Sequence, residues 1–192
     1  MKKFASTLLA GTIALGALGG ASLADNHGMA KENPMVGGAE MFADKNIVEN
    51  AVNSADHTTL VAAVKAAGLV ETLSGEGPFT VFAPTNAAFE KLPDGTVEML
   101  LKPENKETLT TILTCHVVGV EAMSGAIAQM ISDDGGIHPV ETLGGCMLDA
   151  EMDGEALTLT DENGNVATVT IADVDQSNGV IHVIDTVLLP KQ

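Results

Sequence analysis

The chain contains no Arg, no Trp and no Tyr, and only two Cys. Against nine Lys stand 26 Asp and Glu, giving a net charge of -17 at pH 7. Without a basic patch nothing in the chain can neutralise a phosphate backbone, which excludes DNA and RNA as partners. An anionic membrane surface is repelled for the same reason. The lack of Trp and Tyr excludes a carbohydrate or peptide site built on those two rings. There is no Gly-x-Ser-x-Gly elbow, no His-Glu-x-x-His pair and no phosphate-binding Gly loop, so three familiar routes to catalysis have no residues to run on. What is present is a 192-residue chain with 45 % hydrophobic content, enough for one domain with an ordinary core. Its acidity favours solubility and invites divalent cations or basic partners.

Met1-Lys2-Lys3-Phe4 is a basic start, and an apolar run follows from Ala5 to Leu18. Ser22 and Ala24 are small residues at the positions a signal peptidase reads, so residues 1–24 are expected to be a secretory signal peptide cut after Ala24. The apolar run is short for a bilayer span. No Cys follows it for lipid attachment, and Leu188 to Gln192 carries no hydrophobic tail. The expected product is a soluble, exported monomer, periplasmic or secreted, with no membrane anchor. An oxidising destination allows Cys115 and Cys146 to form a disulfide, with two buried free thiols as the alternative.

Residues 25–44 are polar and contain Gly37-Gly38, which predicts a flexible lead-in before a domain over 45–190. His27, Met29, Met35 and Met41 lie within this lead-in. Such soft ligands could hold Cu(I), the basis of an alternative reading as a periplasmic metal- or small-molecule-handling protein. Their irregular spacing, and the common use of Met as apolar filler, support the blander reading.

Beyond the lead-in, Ile47, Val48, Ala51 and Val52 recur at helical spacing. Asp56 offers an N-cap for a helix from His57 to about Leu73, with His57 exposed at its start. Leu109, Ile112, Leu113 and His116 mark a further helix stripe. From His138 the period changes to two, with Cys146, Leu148, Ala150 and Met152 on one strand face. Asp153-Gly154 and Asn163-Gly164 predict hairpins. Asp161 to Asn165 lacks the Gly and Glu positions of an EF-hand loop and reads as a solvated hairpin tip. Helices come mostly first and antiparallel strands mostly last, which indicates an α+β domain.

Two stretches stand out. Gly77 to Phe89 is a strand, apolar on both faces, that stops at Pro84 and turns into a helix capped by Thr85. Asn178 to Pro190 contains the other long apolar strand, expected over Val180 to Leu189, and the two are expected to lie together in the core. Both stretches closely resemble the two signature motifs of the fasciclin domain family, in the right order. Cys115-His116-Val117-Val118 is similar to the family's central tyrosine–histidine region, with Cys115 in place of the tyrosine. The chain is identified on these grounds as a suspected fasciclin domain over about 45–190.

The resemblance implies a β-wedge of two sheets packed against several mainly N-terminal helices. It implies a non-enzymatic adhesion or protein-interaction role, with a surface or extracellular protein or polysaccharide as partner and no cofactor. It carries no integrin-type site, because the tyrosine is absent and the chain has no Asp-Ile motif. The motif residues Phe79, Phe82, Pro84, Thr85, Asn86, Phe89, His116, Gly179, His182, Asp185 and Pro190 are expected to be mainly structural. His116 is read as a buried imidazole whose nitrogens bond backbone carbonyls, since leaving them unpaired would cost about 1–3 kcal/mol. His182 and Asp185 fall on opposite faces of a strand and cannot pair directly. No residue is assigned to catalysis, to a cofactor or to a metal.

Overall fold

A computed structural model describes residues 33–191. The expected signal peptide and the start of the lead-in, including His27 and Met29, lie outside them. Strands β1 (Met35–Val36) and β2 (Ala39–Glu40) pair across Gly37-Gly38, whose φ values of 58° and 77° suit a tight hairpin turn. This corrects the expectation of a flexible lead-in for its described part. Val36 and Met41 flank the turn, and both are buried in the core. The hairpin is also held by the Ala55 N–H donating to Gly37 O at 3.1 Å.

Helix α1 (Ile47–Ala51) opens with a reciprocal cap, in which Asn46 and Glu49 each accept from the other's backbone N–H. A 3-10 turn (Ala55–His57) leads into α2 (Thr58–Ala67) and α3 (Val70–Leu73). The single helix expected from His57 to Leu73 is therefore divided. Gly68 takes the left-handed conformation, φ 75°, and ends α2. The N-cap expected from Asp56 is supplied instead by Asn86, whose Oδ1 accepts the Thr59 N–H at 3.0 Å. Nor is His57 exposed: the turn tucks it under the helices.

The chain continues through β3 (Phe79–Pro84), α4 (Asn86–Glu90), α5 (Thr96–Leu100), α6 (Lys106–Thr114), β4 (Val117–Val118) and α7 (Ser124–Asp133). The antiparallel run follows as β5 (Ile137–Glu141), β6 (Met147–Asp153), β7 (Ala156–Thr160), β8 (Val166–Gln176) and β9 (Gly179–Ile184). The seven strands from β3 onward are ordered β4-β3-β9-β8-β7-β6-β5. The first residues of β8 pair with β7 and the rest pair with β9, so one long strand belongs to both blades of the wedge. The domain is α+β: the helices before β4 pack against the first blade, and α7 packs against β5 and β6 of the second.

The two stretches singled out in the sequence are neighbours in the sheet. β3 runs parallel to β9 in register from Phe79 opposite Gly179 to Pro84 opposite Ile184. Alternation along these two strands divides the interior. Val81, Ala83, Ile181 and Val183 face the helical core. Phe82 and Ile184 face a second core with Leu148, Leu159 and Ile127. β9 ends at Ile184 rather than running on to Leu189. Beyond it the backbone groups turn to other partners, and the Leu188 N–H donates to a histidine ring instead of a strand.

Cys115 and Cys146 are joined in a disulfide, with Cα atoms 5.3 Å apart, linking the end of α6 to the start of β6. In the chain-entropy picture a loop of this length stabilises the fold by about 3–4 kcal/mol. Replacing both cysteines with serine is expected to lower unfolding stability by that order in urea titration. A loss below about 1 kcal/mol would show that the loop is already restrained in the unfolded chain. Among the described residues no helix is long and apolar enough to cross a membrane.

Candidate functional site

Three histidines are buried and engaged. His116 sits at the exit of α6, 2 % exposed. Its Nδ1 donates to Ile112 O at 2.8 Å and its Nε2 accepts the Leu188 N–H at 2.9 Å. One nitrogen thus meets a carbonyl as the sequence suggests, while the other meets an amide, which fixes the Nδ1-protonated tautomer. Burial, only partly opposed by the Ile112 carbonyl and Asp161, lowers its pKa to about 4. His182 follows the opposite pattern. Its Nδ1 accepts the Asp173 N–H at 3.2 Å and its Nε2 donates to Ala122 O at 2.9 Å. Its ring also stacks on Phe82, centroids 5.6 Å apart. His57 shares a 2.8 Å hydrogen bond between Nδ1 and Ser54 Oγ. Burial also lowers the pKa of His57 and of His182.

The sign of the pH effect follows. The unfolded chain protonates His116 near pH 6.5, whereas the folded chain resists until about pH 4. The unfolded state therefore binds more protons between those values, and stability falls as pH drops through them. The contribution is intact above about pH 6.5 and is worth roughly 3 kcal/mol once fully lost. Wild-type protein is expected to lose about 2–3 kcal/mol more than His116→Gln between pH 7 and pH 4.5, by urea unfolding at each pH. Equal losses in the two proteins would contradict this assignment.

Beside His116 lies an anchor that the sequence reading missed. Asp161 is buried. Its Oδ1 accepts the N–H groups of Asn163 and Asn165, each at 2.9 Å, and its Oδ2 accepts the Leu189 N–H and the Asn165 side-chain amide. Asn163 in turn donates from Nδ2 to Leu189 O and Pro190 O. The loop between β7 and β8 is thus a clasp on the C-terminal segment. Only its tip is solvated, which corrects the reading of Asp161. The carboxylate's acceptor sites are taken up by its own loop and the tail, an arrangement unlike a calcium ligand. An Asp beginning an Asp-x-Asn-Gly-Asn loop is a recognisable turn signal. Its grip on Leu189 has no local signature.

Asp173 is a second such residue. It is the one non-glycine with positive φ, 56°, among the described residues. It lies where the β8–β9 register shifts. That bulge aims its carboxylate at the start of α7, where Oδ1 accepts the Ser124 N–H at 2.7 Å. The cap of α7 therefore comes from a strand 49 residues away.

The remaining motif residues are placed as follows. Thr85 caps α4 through Ala88 N–H, and Asn86 Nδ2 donates to Ala55 O. Phe89 is buried in the helical core and Phe79 packs half-buried against it. Asp185 accepts the Thr168 N–H at 2.8 Å and pairs with Lys91 at 3.1 Å. Burial works against its ionisation, but these bonds together hold its pKa below the usual value. It makes no pair with His182. Gly179 sits against Phe79, where a Cβ would fall 2.0 Å from the Phe79 carbonyl oxygen. Of the proposed soft ligands, Met41 is buried and Met35 is exposed on β1, so these two do not converge. Among the described residues no group of three or more His, Cys, Asp or Glu is placed to hold a metal.

On the outside of this framework the two edge strands of the sheet, β4 and β5, approach each other. At one end they are closed: the Leu143 N–H donates to Val117 O at 2.8 Å and the Gly144 N–H to Thr114 O, next to the disulfide. Past this clamp the edges diverge and leave an apolar cleft of about 200 Å³. Phe82, Ile127 and Met130 line it together with Val120 and Val140. The Val120–Ala122 segment on one lip is pinned by Thr80, whose Oγ1 donates to Val120 O and accepts the Ala122 N–H.

The sequence matches the model of the fasciclin domain over residues 55–190. It is 48 % identical over 169 residues to Protein sll1483 of Synechocystis sp., covering 83 % of this chain and 82 % of that protein. It is 40 % identical over 131 residues to the transforming growth factor-beta-induced protein ig-h3 of Sus scrofa, covering 68 % of this chain but 17 % of that longer protein. The fold matches a fasciclin domain pair from the insect cell adhesion molecule fasciclin I, with a TM-score of 0.68 at 18 % identity over 76 % of this chain and 51 % of that one. That likeness is one of fold.

Proposed function

The chain belongs to the fasciclin domain family, and we propose from that membership that it is an exported, non-enzymatic domain that adheres to other surface or extracellular molecules. The observation that carries this reading is how the reactive-looking side chains are used. His116 and His182 each commit both ring nitrogens to backbone groups, and the cysteines are joined to each other. A nucleophile–base pair needs a free nucleophile facing a base within hydrogen-bond reach, and these residues are spent on the frame instead. We assign the motif residues to that frame and leave contact with partners to the surface. The insect relative by fold is called a cell adhesion molecule, which supports the same class of role. Periplasmic or secreted placement rests on the signal-peptide reading of residues 1–24.

Beads coated with the full chain are expected to retain cells and shed envelope from the source organism. Beads coated with an unrelated protein of similar acidity should not. Equal retention on both would reduce the effect to charge and contradict the proposal.

A further inference from the structure

Resting on the interaction reading above, we propose that the cleft between β4 and β5 is the docking site, and that its occupant is a cationic, extended peptide segment presenting one large apolar side chain. Size is the first argument. At about 200 Å³ the cleft is smaller than the roughly 300–1,000 Å³ of pockets that enclose drug-sized ligands. It suits an inserted side chain better than a free cofactor. The lip is apolar and accessible, with Val120 57 % exposed. The floor is packed, with Phe82 stacked on His182, and the same Val120–Ala122 lip is held to it by Thr80.

Charge is the second argument. From Glu107 to Pro190 the chain carries fourteen Asp and Glu and no Lys or Arg. That span builds β4, α7 and β5 through β9, and hence every wall of the cleft except the β3 floor. Glu141 lines the cleft, and Asp134 holds the cleft residue His138 at 2.6 Å. A rim of one sign with no cation in its span steers a positive partner and repels an acidic one. The edge itself decides the binding mode. The Thr142 N–H donates to Cys146 O, so by alternation His138 and Val140 direct their N–H groups to β6, while 137, 139 and 141 face outward. The middle outward position is Pro139, which has no N–H to give. A continuous added strand is blocked, and recognition falls to the inserted side chain and the flanking charges.

The test uses the full chain and synthetic hexapeptides, with binding followed by fluorescence anisotropy at low and physiological ionic strength. An alternating Lys–Phe peptide is expected to bind. Its Lys–Ala counterpart should bind at least about tenfold more weakly, and its Glu–Phe counterpart should not bind. Val120→Lys and Glu141→Lys, both at exposed positions and checked by thermal melting, should each weaken the Lys–Phe peptide by about tenfold or more. Glu98→Lys, on α5, should change it by less than about threefold. The proposal is overturned if no peptide binds, if Lys–Ala binds as tightly as Lys–Phe, or if Val120→Lys has no effect. It is equally overturned if Glu98→Lys weakens binding as much as Glu141→Lys, since that would mean diffuse charge attraction. Beads that retain cells while the peptides fail to bind would leave the adhesion reading standing and remove the cleft. Peptide binding without cell retention would do the reverse.

Discussion

Gly179→Ala is expected to cost more than about 4 kcal/mol and to leave little cooperative unfolding in a urea titration. At this position the parallel strands β3 and β9 touch through backbone alone. A Cβ on residue 179 would sit 2.0 Å from the Phe79 carbonyl oxygen and 2.8 Å from the Phe79 nitrogen. Neither atom can swing aside as a side chain would. The φ of 149° adds to the cost, because that backbone region is close to glycine-only. Relief would require β3 and β9 to part at the start of their shared register. That would disturb both cores at once, since their side chains alternate between the two. A loss below about 1 kcal/mol would mean the strands can separate there freely, and would contradict the packing described.

Asp161→Ala is expected to cost about 3 kcal/mol or more, from the loss of acceptors for three backbone N–H groups. These belong to Asn163, Asn165 and Leu189. The effect should be local in origin and global in result, because the clasp holds the segment whose Leu188 N–H also satisfies His116. Hydrogen exchange should show the Leu188 and Leu189 amides losing protection before the β6–β7 hairpin does. Asp161→Asn keeps one oxygen and should fall between wild type and alanine. If alanine is tolerated within about 0.5 kcal/mol, the tail is held by apolar packing alone, through Leu188 and Val187.

These two residues show what could be read from the sequence and what could not. Local chemistry carried much of the fold. Asp153-Gly154 marked the β6–β7 connection, period-two alternation placed Leu148 and Ala150 inside, and Pro84-Thr85 marked the change from strand to helix. The resemblance of the two apolar stretches to family motifs supplied the architecture, and their expected proximity is observed as a parallel pair. The failures share one cause, which is dependence on distant partners. His57 looked exposed because nothing nearby announces the helices that cover it. Asp56 looked like a cap, yet Asn86, about thirty residues on, satisfies the helix instead. The hairpin at Met35 to Glu40 looked flexible because its two buried side chains, Val36 and Met41, are too few to make a pattern. The candidate cleft was invisible for the same reason. Its lips come from Val118–Ala122 and His138–Glu141, segments far apart in the chain that are joined at one end by the Leu143–Val117 bond beside the disulfide.

The claim at the centre of this account is that the motif residues build the frame and the surface does the binding. The measurement that tests it most directly is adhesion by His116→Gln, at a temperature where circular dichroism shows it folded. The prediction is a lowered urea midpoint with retention of cells on coated beads equal to wild type. A variant with wild-type stability that no longer retains cells would put His116 at the binding surface and contradict the claim.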